Sequence, residues 1–320
     1  LDQAGQHGAV VCSSLDPSGY REANDRVLAE AVASSGRLVP FLRVDPNDPE
    51  AAAEAERSLT AGHRGIKLHP RGEGFTLDHP MLDRVAAVAE QHDAPLLFHA
   101  GRGMPPLGRS LLDLADRHPG LVVILAHCGI SDLDALRTEL DDRPGILFDT
   151  AWWNAADVAA LFQWVDSGRI LYASDTPYGR PALSLVRTAR AAAQAGLGPD
   201  AIAAVAGGNL AQILAGGRPP VSLGRAEPPP LDLGVLRVST YLSGAIATAF
   251  AGGDPVETAE LALRACDGIR PDDRMGSIEA VRELASIAVS LAPEMSRPRL
   301  GLLMLAASVA LTPDVPVPGA

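Results

Sequence analysis

The feature that most constrains this chain is an alternation. From residue 1 to about 216, short apolar runs alternate with Ala-rich amphipathic segments. The runs are Ala9–Cys12, Leu38–Val44, Gly65–Leu68, Pro95–Phe98, Leu121–Ala126, Gly145–Phe148 and Ile170–Ala173. Between them lie helical patterns such as Met81–Gln91, Leu107–Arg117, Asp132–Leu140 and Ala155–Val165. Ser131 reads as an N-cap, and Asp93-Ala94-Pro95 and Pro119-Gly120 end helices ahead of strands. Strand, helix and strand in regular order imply parallel strands joined by right-handed crossovers.

Seven such runs over 216 residues give roughly 31 residues per unit, and one further unit would give about 247, close to a (β/α)8 barrel of roughly 250. A doubly wound sheet would carry a glycine-rich phosphate loop after an early strand. Here Ser13-Ser14-Leu15-Asp16-Pro17 follows the first run and no GxGxxG occurs. The expected fold is therefore an α/β TIM barrel over 1–216, lacking its first strand, with a small all-helical domain behind it. Gly217 to Pro230, with Pro219-Pro220 and Pro228-Pro229-Pro230, reads as a linker (217–230). The region 231–320 shows four apolar helical patterns, near Leu231–Ala251, Pro255–Asp267, Ser277–Leu291 and Leu300–Leu311, and a tail from Pro313 expected to be loose.

Composition narrows the function classes. With 27 Lys and Arg against 39 Asp and Glu, the net charge is −12, which disfavours nucleic-acid binding. Cys12, Cys128 and Cys266 form no CxxC pair, so neither a disulfide framework nor a cysteine zinc site fits, and a cytoplasmic location is expected. The charge-free stretch Val238–Gly253 is short and diluted by Ser, Thr and Gly, so it reads as a buried helix rather than a membrane span. No signal peptide is visible, and the apolar C-terminal helices make a homodimer plausible.

The chemistry sits where polar residues end apolar runs. Phe98-His99-Ala100-Gly101, Ala126-His127-Cys128-Gly129 and Ser174-Asp175-Thr176-Pro177 each place a titratable group at a strand's C-terminal end, where barrel enzymes gather their catalytic side chains. Burying three such groups unpartnered would cost several kcal/mol, so a metal ion or a hydrogen-bonded network is expected around them. In Gly65-Ile66-Lys67-Leu68-His69-Pro70, strand alternation sets Lys67 and His69 on one face. Arg102, a candidate fork for a substrate carboxylate, and Trp152 lie on the following loops. Asp149 either orients a neighbour or caps a loop. His63, His79, His92 and His118 read as structural.

These motifs, with Gly208-Asn209-Leu210, resemble the amidohydrolase-2 group of the amidohydrolase superfamily in order and spacing from about Ala9 to Leu214. The resemblance implies a (β/α)8 barrel with one divalent metal, zinc or a similar ion. It implies that His99 is a metal ligand, that Asp175 is both ligand and proton carrier, and that His127 orients or deprotonates water. Lys67 matches a position that meets substrate. The group's His-x-His on the first strand is absent from this sequence, and His7 is a poor substitute.

The leading expectation is a metal-dependent hydrolase attacking a C–N or C–O bond of a small, carboxylated substrate. The same scaffold also permits a non-oxidative decarboxylase, which the motifs do not separate from it. Two further alternatives are a metal-free hydrolase and a non-catalytic barrel with an assembly role.

Overall fold

The structure is a computed structural model that describes residues 1–16, 18–216, 232–269 and 275–317; the expected linker lies outside them. In chain order the strands and helices are β1 (Ala9–Val11), α1 (Arg21–Ala33), β2 (Leu38–Pro40), β3 (Leu42–Arg43), α2 (Ala51–Ala61), β4 (Ile66–Leu68), α3 (Pro70–Glu73), α4 (Pro80–Gln91), β5 (Leu96–Phe98), α5 (Gly108–Arg117), β6 (Val123–Leu125), α6 (Leu133–Leu136), β7 (Ile146–Asp149), α7 (Ala155–Trp164), β8 (Ile170–Leu171), α8 (Pro181–Gln194), α9 (Pro199–Ala203), α10 (Asn209–Gly216), α11 (Leu233–Phe250), α12 (Val256–Cys266), α13 (Met275–Ser290) and α14 (Ser296–Ala310). Every strand pairing is parallel, β1 with β2, and β3 to β8 in sequence order. Each of the seven expected runs is a strand, the second being divided at Phe41 into β2 and β3. It bonds to β1 through Phe41 N–H to Val11 O (2.8 Å) and towards β4 through Leu42 N–H to Gly65 O (3.0 Å).

The chain forms two compact units. The first comprises Leu1–Ala151, Val165–Ala173 and the described residues 203–216, and it holds the whole sheet. The sheet has two unlike faces. On one, Ile66, Leu68, Leu96, Phe98, Val123, Leu125, Ile146, Phe148 and Ile170 are all buried. The register Lys67↔Leu97↔Ile124↔Leu147 defines the other. There Val122, Ile124, Leu147 and Leu171 cluster with Leu97 and with Leu210 and Ile213 of α10. His69, His99 and Asp149 stand two residues beyond Lys67, Leu97 and Leu147, on the same face by alternation.

The second unit comprises Trp152–Trp164, Ser174–Ile202 and the described residues from 232 onward. The expected boundary at 216 is therefore not where the compact units divide. The reason is packing, because α7 and α8 contact each other and α14. The four expected helices are α11 to α14, built around Val235, Val238, Leu242, Ile246, Val281 and Leu303 with many alanines. Helix α11 is long and apolar enough to cross a membrane by length and composition, a stretch longer than the sequence reading allowed. Within its unit it buries Val238, Leu242 and Ala245 completely, and a third of the stretch is buried in all.

The start of the tail is held rather than loose. Arg190, 8% exposed, donates to Thr312 Oγ1 and to the carbonyls of Thr312, Val315 and Pro316.

Candidate active site

Strands β4, β5 and β6 end in the histidines that carry the site. His69 follows β4, and its ring stacks on His99 beyond β5, centroids 3.9 Å apart and planes 9° from parallel. His99 meets His127 edge-on, with His127 Nε2 3.0 Å from His99 Nδ1. His127 Nδ1 lies 2.6 Å from the carbonyl of Ala151. A carbonyl only accepts, so Nδ1 of His127 carries a proton. With His127 neutral, its Nε2 accepts, and His99 donates through Nδ1. The remaining nitrogen of His99, Nε2, is then a bare lone pair. It is buried and has no hydrogen-bond partner.

The surroundings keep His99 uncharged. Burial lowers its pKa to about 2, and a charge on a neighbouring imidazole or the charges of Lys67 and Arg71 act in the same direction. Burial, then Lys67 and Arg43, lower His69 to about 4. The permanent charges that act most strongly on the two rings are cationic, those of Lys67, Arg71 and Arg43, although the chain as a whole carries −12.

Local backbone explains the motif. His127, Cys128 and Gly129 adopt left-handed φ of 59°, 60° and 56°. The buried Asp149 holds that strained exit by accepting the N–H groups of His127 and Ala151, both at 2.9 Å. Gly101 must lack a side chain, because a Cβ there would sit 2.7 Å from the His127 ring and 3.1 Å from that of His99.

The other expected site residues fall as follows. Lys67 is half-buried on the histidine face of β4. Arg102 is exposed, and its carbonyl accepts from Arg71 Nη1 at 2.9 Å. Trp152 belongs to the second unit, where its Nε1–H donates to Asp157 (2.6 Å), whose carboxyl is pushed up by burial. Asp175 also lies in the second unit; it is exposed, has φ of 52°, and its carbonyl accepts the N–H groups of Tyr178 and Gly179. The Asn209 amide of the resemblance motif donates to the carbonyls of Ser167 and Ile170, both at 2.9 Å, and so ties α10 to β8.

One group escaped the sequence reading. Glu73, four residues after His69, accepts the His69 N–H (3.0 Å), the Tyr20 hydroxyl (2.7 Å) and the guanidinium of Arg43 (2.8 Å). The visible signal was Arg43, a lone charge in the apolar run Leu38–Val44. Ser131 was misread as a cap. It bonds to Asp132, whose carboxylate instead caps α5 through the N–H groups of Leu107 and Gly108.

The Amidohydrolase family model matches residues 12–214. The chain belongs to the amidohydrolase family. No curated protein sequence matches it. Among solved structures, this amidohydrolase is similar to 5-carboxyvanillate decarboxylase from Sphingomonas paucimobilis, with 20% identity, a TM-score of 0.54, and 67% of this chain and 80% of that one covered. It is also similar to 2,6-dihydroxybenzoate decarboxylase from Rhizobium (16%, TM-score 0.52, 67% and 85% covered). An uncharacterized TIM-barrel protein from Bordetella bronchiseptica matches comparably (18%, TM-score 0.55, 68% and 80%). At these identities the likenesses establish the fold, that of the TIM-barrel amidohydrolases.

A divalent ion of the kind the resemblance implies needs three or more protein donors. His99 Nε2 has the chemistry of one. Among the described residues, however, no group of three His, Cys, Asp or Glu side chains assembles to hold a metal. The described donor set does not make a metal site by itself.

Proposed function

We propose that this amidohydrolase is a carboxy-lyase that removes carbon dioxide from a small carboxylic acid without oxidation. The observation that carries the proposal is the hydrogen-bonded His127–His99 pair, with the cationic Lys67 and Arg71 beside it. These cationic groups beside the stack favour an anionic substrate over a neutral one. Lys67 and the exposed Arg71 and Arg102 supply the charges at the strand ends. The carbon–carboxylate bond breaks, its electron pair stays on carbon, and that carbon takes up one proton. The His127–His99 pair is placed to relay it. A doubly protonated His127 donates from Nε2 to His99 Nδ1, which sets a proton on His99 Nε2, the nitrogen without a partner. As that proton passes to the carbon, His127 gives up its own to His99 Nδ1. The likeness to two decarboxylases of the same fold supports this reading.

Hydrolysis of a C–N or C–O bond is the second reading, favoured by the family's own description. One experiment separates the two. The protein is incubated with a panel of 13C-carboxyl-labelled aromatic and unsaturated acids, each tested with and without an added amide, ester or lactone bond, in D2O enriched in 18O. Release of labelled carbon dioxide with one deuterium in the product supports the lyase. An 18O atom in the product without carbon dioxide release replaces it with the hydrolase.

A further inference from the structure

We infer that Glu73 is a positioning residue that holds His69 in its stack against His99, an inference that rests on reading the imidazole cluster as the reaction site. The Glu73 side chain is 2% exposed, and both of its carboxylate oxygens are committed. Oε1 accepts the Tyr20 hydroxyl at 2.7 Å and the Arg43 Nε–H at 2.8 Å, and lies 2.7 Å from Arg43 Nη2. Oε2 accepts the backbone N–H of His69 at 3.0 Å. A carboxylate this deeply buried is stable only with its charge paired and its lone pairs filled. The pairing cation is itself fixed. Arg43 exchanges two backbone bonds with the buried Asn24 side chain, N–H to Oδ1 at 2.9 Å and Nδ2–H to the carbonyl at 3.0 Å.

The turn that carries Glu73 also holds the ring. Gly72 N–H donates to His69 Nδ1 at 2.9 Å, so the neutral ring bears its proton on Nε2. The backbone of His69 is thus gripped by Glu73 and its ring by Gly72, two consecutive residues of α3. The outcome is the near-parallel contact with His99. Were Glu73 only a counter-ion for Arg43, Oε1 alone would serve. Oε2 reaches past the ion pair to the histidine, and this reach needs the full length of a glutamate.

Glu73→Asp in the full chain separates the two roles. It keeps the negative charge beside Arg43 and Tyr20 but is one methylene too short to reach the His69 N–H as well. The readout is the ring 1H–15N and 1H–13C spectrum of histidine-labelled protein. The expected result is a joint shift of the His69 and His99 ring resonances, since stacked rings feel each other's ring current, with His63 and His118 unmoved. In the turnover assay kcat falls by up to about 100-fold, the cost of roughly 1 Å of misplacement. A folded Glu73→Asp protein whose His69 and His99 resonances stay at their wild-type positions overturns the inference.

Tyr20→Phe serves where Glu73→Asp does not fold. It removes one bond to Oε1 and leaves the ion pair. A smaller shift of the same two resonances supports the positioning role, and unmoved resonances overturn it. If the resonances move but the wild-type protein turns over no carboxylic acid, the positioning role stands and the carboxy-lyase reading falls.

Discussion

The same strands of this barrel build two layers, the upper lying two residues beyond the lower in β4, β5 and β7 and three in β6, where the chain turns at His127. In the lower layer Leu97, Ile124, Leu147 and Leu171 close on Leu210 and Ile213, with Lys67 next to Leu97 in the same register row. In the upper layer, at the strand ends, stand His69, His99, His127 and Asp149, with a buried imidazole nitrogen left without a partner. The lower layer gains stability from apolar burial; the upper one gives some up, since a desolvated polar atom with no hydrogen bond costs about 1–3 kcal/mol. Substitutions in the two layers should therefore fail in opposite ways, the upper in turnover and the lower in folding.

The largest expected effect lies in the upper layer. His127→Ala should lower turnover by about 100- to 10,000-fold, the range for a lost proton-transfer group. Its melting temperature should stay near that of the wild type, because Asp149 holds this segment through backbone N–H groups that the substitution leaves in place. Steady-state kinetics beside a thermal melt checks both halves. A large loss of stability would make His127 a packing residue and erase the contrast.

Leu147→Ala tests the lower layer. Leu147 is fully buried, and truncating such a side chain costs about 2–5 kcal/mol through lost transfer energy and the cavity left behind. Urea unfolding should show a lower midpoint at unchanged slope. The kcat of the remaining folded protein should be near normal; a kcat lost in proportion to that of His127→Ala would mean that the layers are not separable.

The two layers were not equally legible in the sequence. The apolar runs read plainly as strands because burial on both faces makes them nearly continuous in Val, Ile and Leu. The histidines read plainly because each one ends such a run. The brace beneath them did not. Glu73, Arg43 and Tyr20 meet only through the folding of segments 30 and 53 residues apart, and no local pattern encodes that meeting. The Asp132 cap of α5 was hidden for the same reason, its partners lying 24 and 25 residues upstream. The grouping of α7 and α8 with α14 depends on which helix faces meet, which periodicity shows for each helix alone but never for pairs.

Acid should bring out a third kind of region, a charged network away from both layers. Burial alone would raise the Glu54 carboxyl, but hydrogen bonds from Arg57, Asn24 and Ser58, and the charge of Arg57, outweigh it and lower the pKa from 4.5 to about 2. A depressed carboxyl binds fewer protons folded than unfolded. Its stabilisation is complete above the unfolded value and is lost as pH falls through the window from about 4.5 to about 2. At 1.36 kcal/mol per unit, and with solvent screening of a partly buried network, this amounts to about 1–3 kcal/mol. Unfolding free energy followed from pH 6 downward should decline in that window, and Glu54→Gln should flatten the decline. An unchanged slope in the variant would assign acid sensitivity to other carboxylates.

The smallest effect should come from Asn209, a buried polar side chain whose amide, unlike His99 Nε2, is paired. Its amide serves the carbonyls of Ser167 and Ile170, and it is 3% exposed. Asn209→Ala leaves both acceptors without that donor and should cost about 1–3 kcal/mol with no direct effect on kcat. Asn209→Asp decides whether hydrogen bonding or volume matters. Aspartate has nearly the same size, but at neutral pH it offers no donor and sets a carboxylate against two carbonyl oxygens. If the bonds matter, the aspartate variant is at least as unstable as the alanine one and recovers on acidification, when its carboxyl gains a proton to donate. If only volume matters, aspartate unfolds at the wild-type midpoint, and the motif asparagine then has no structural role to set against the histidines.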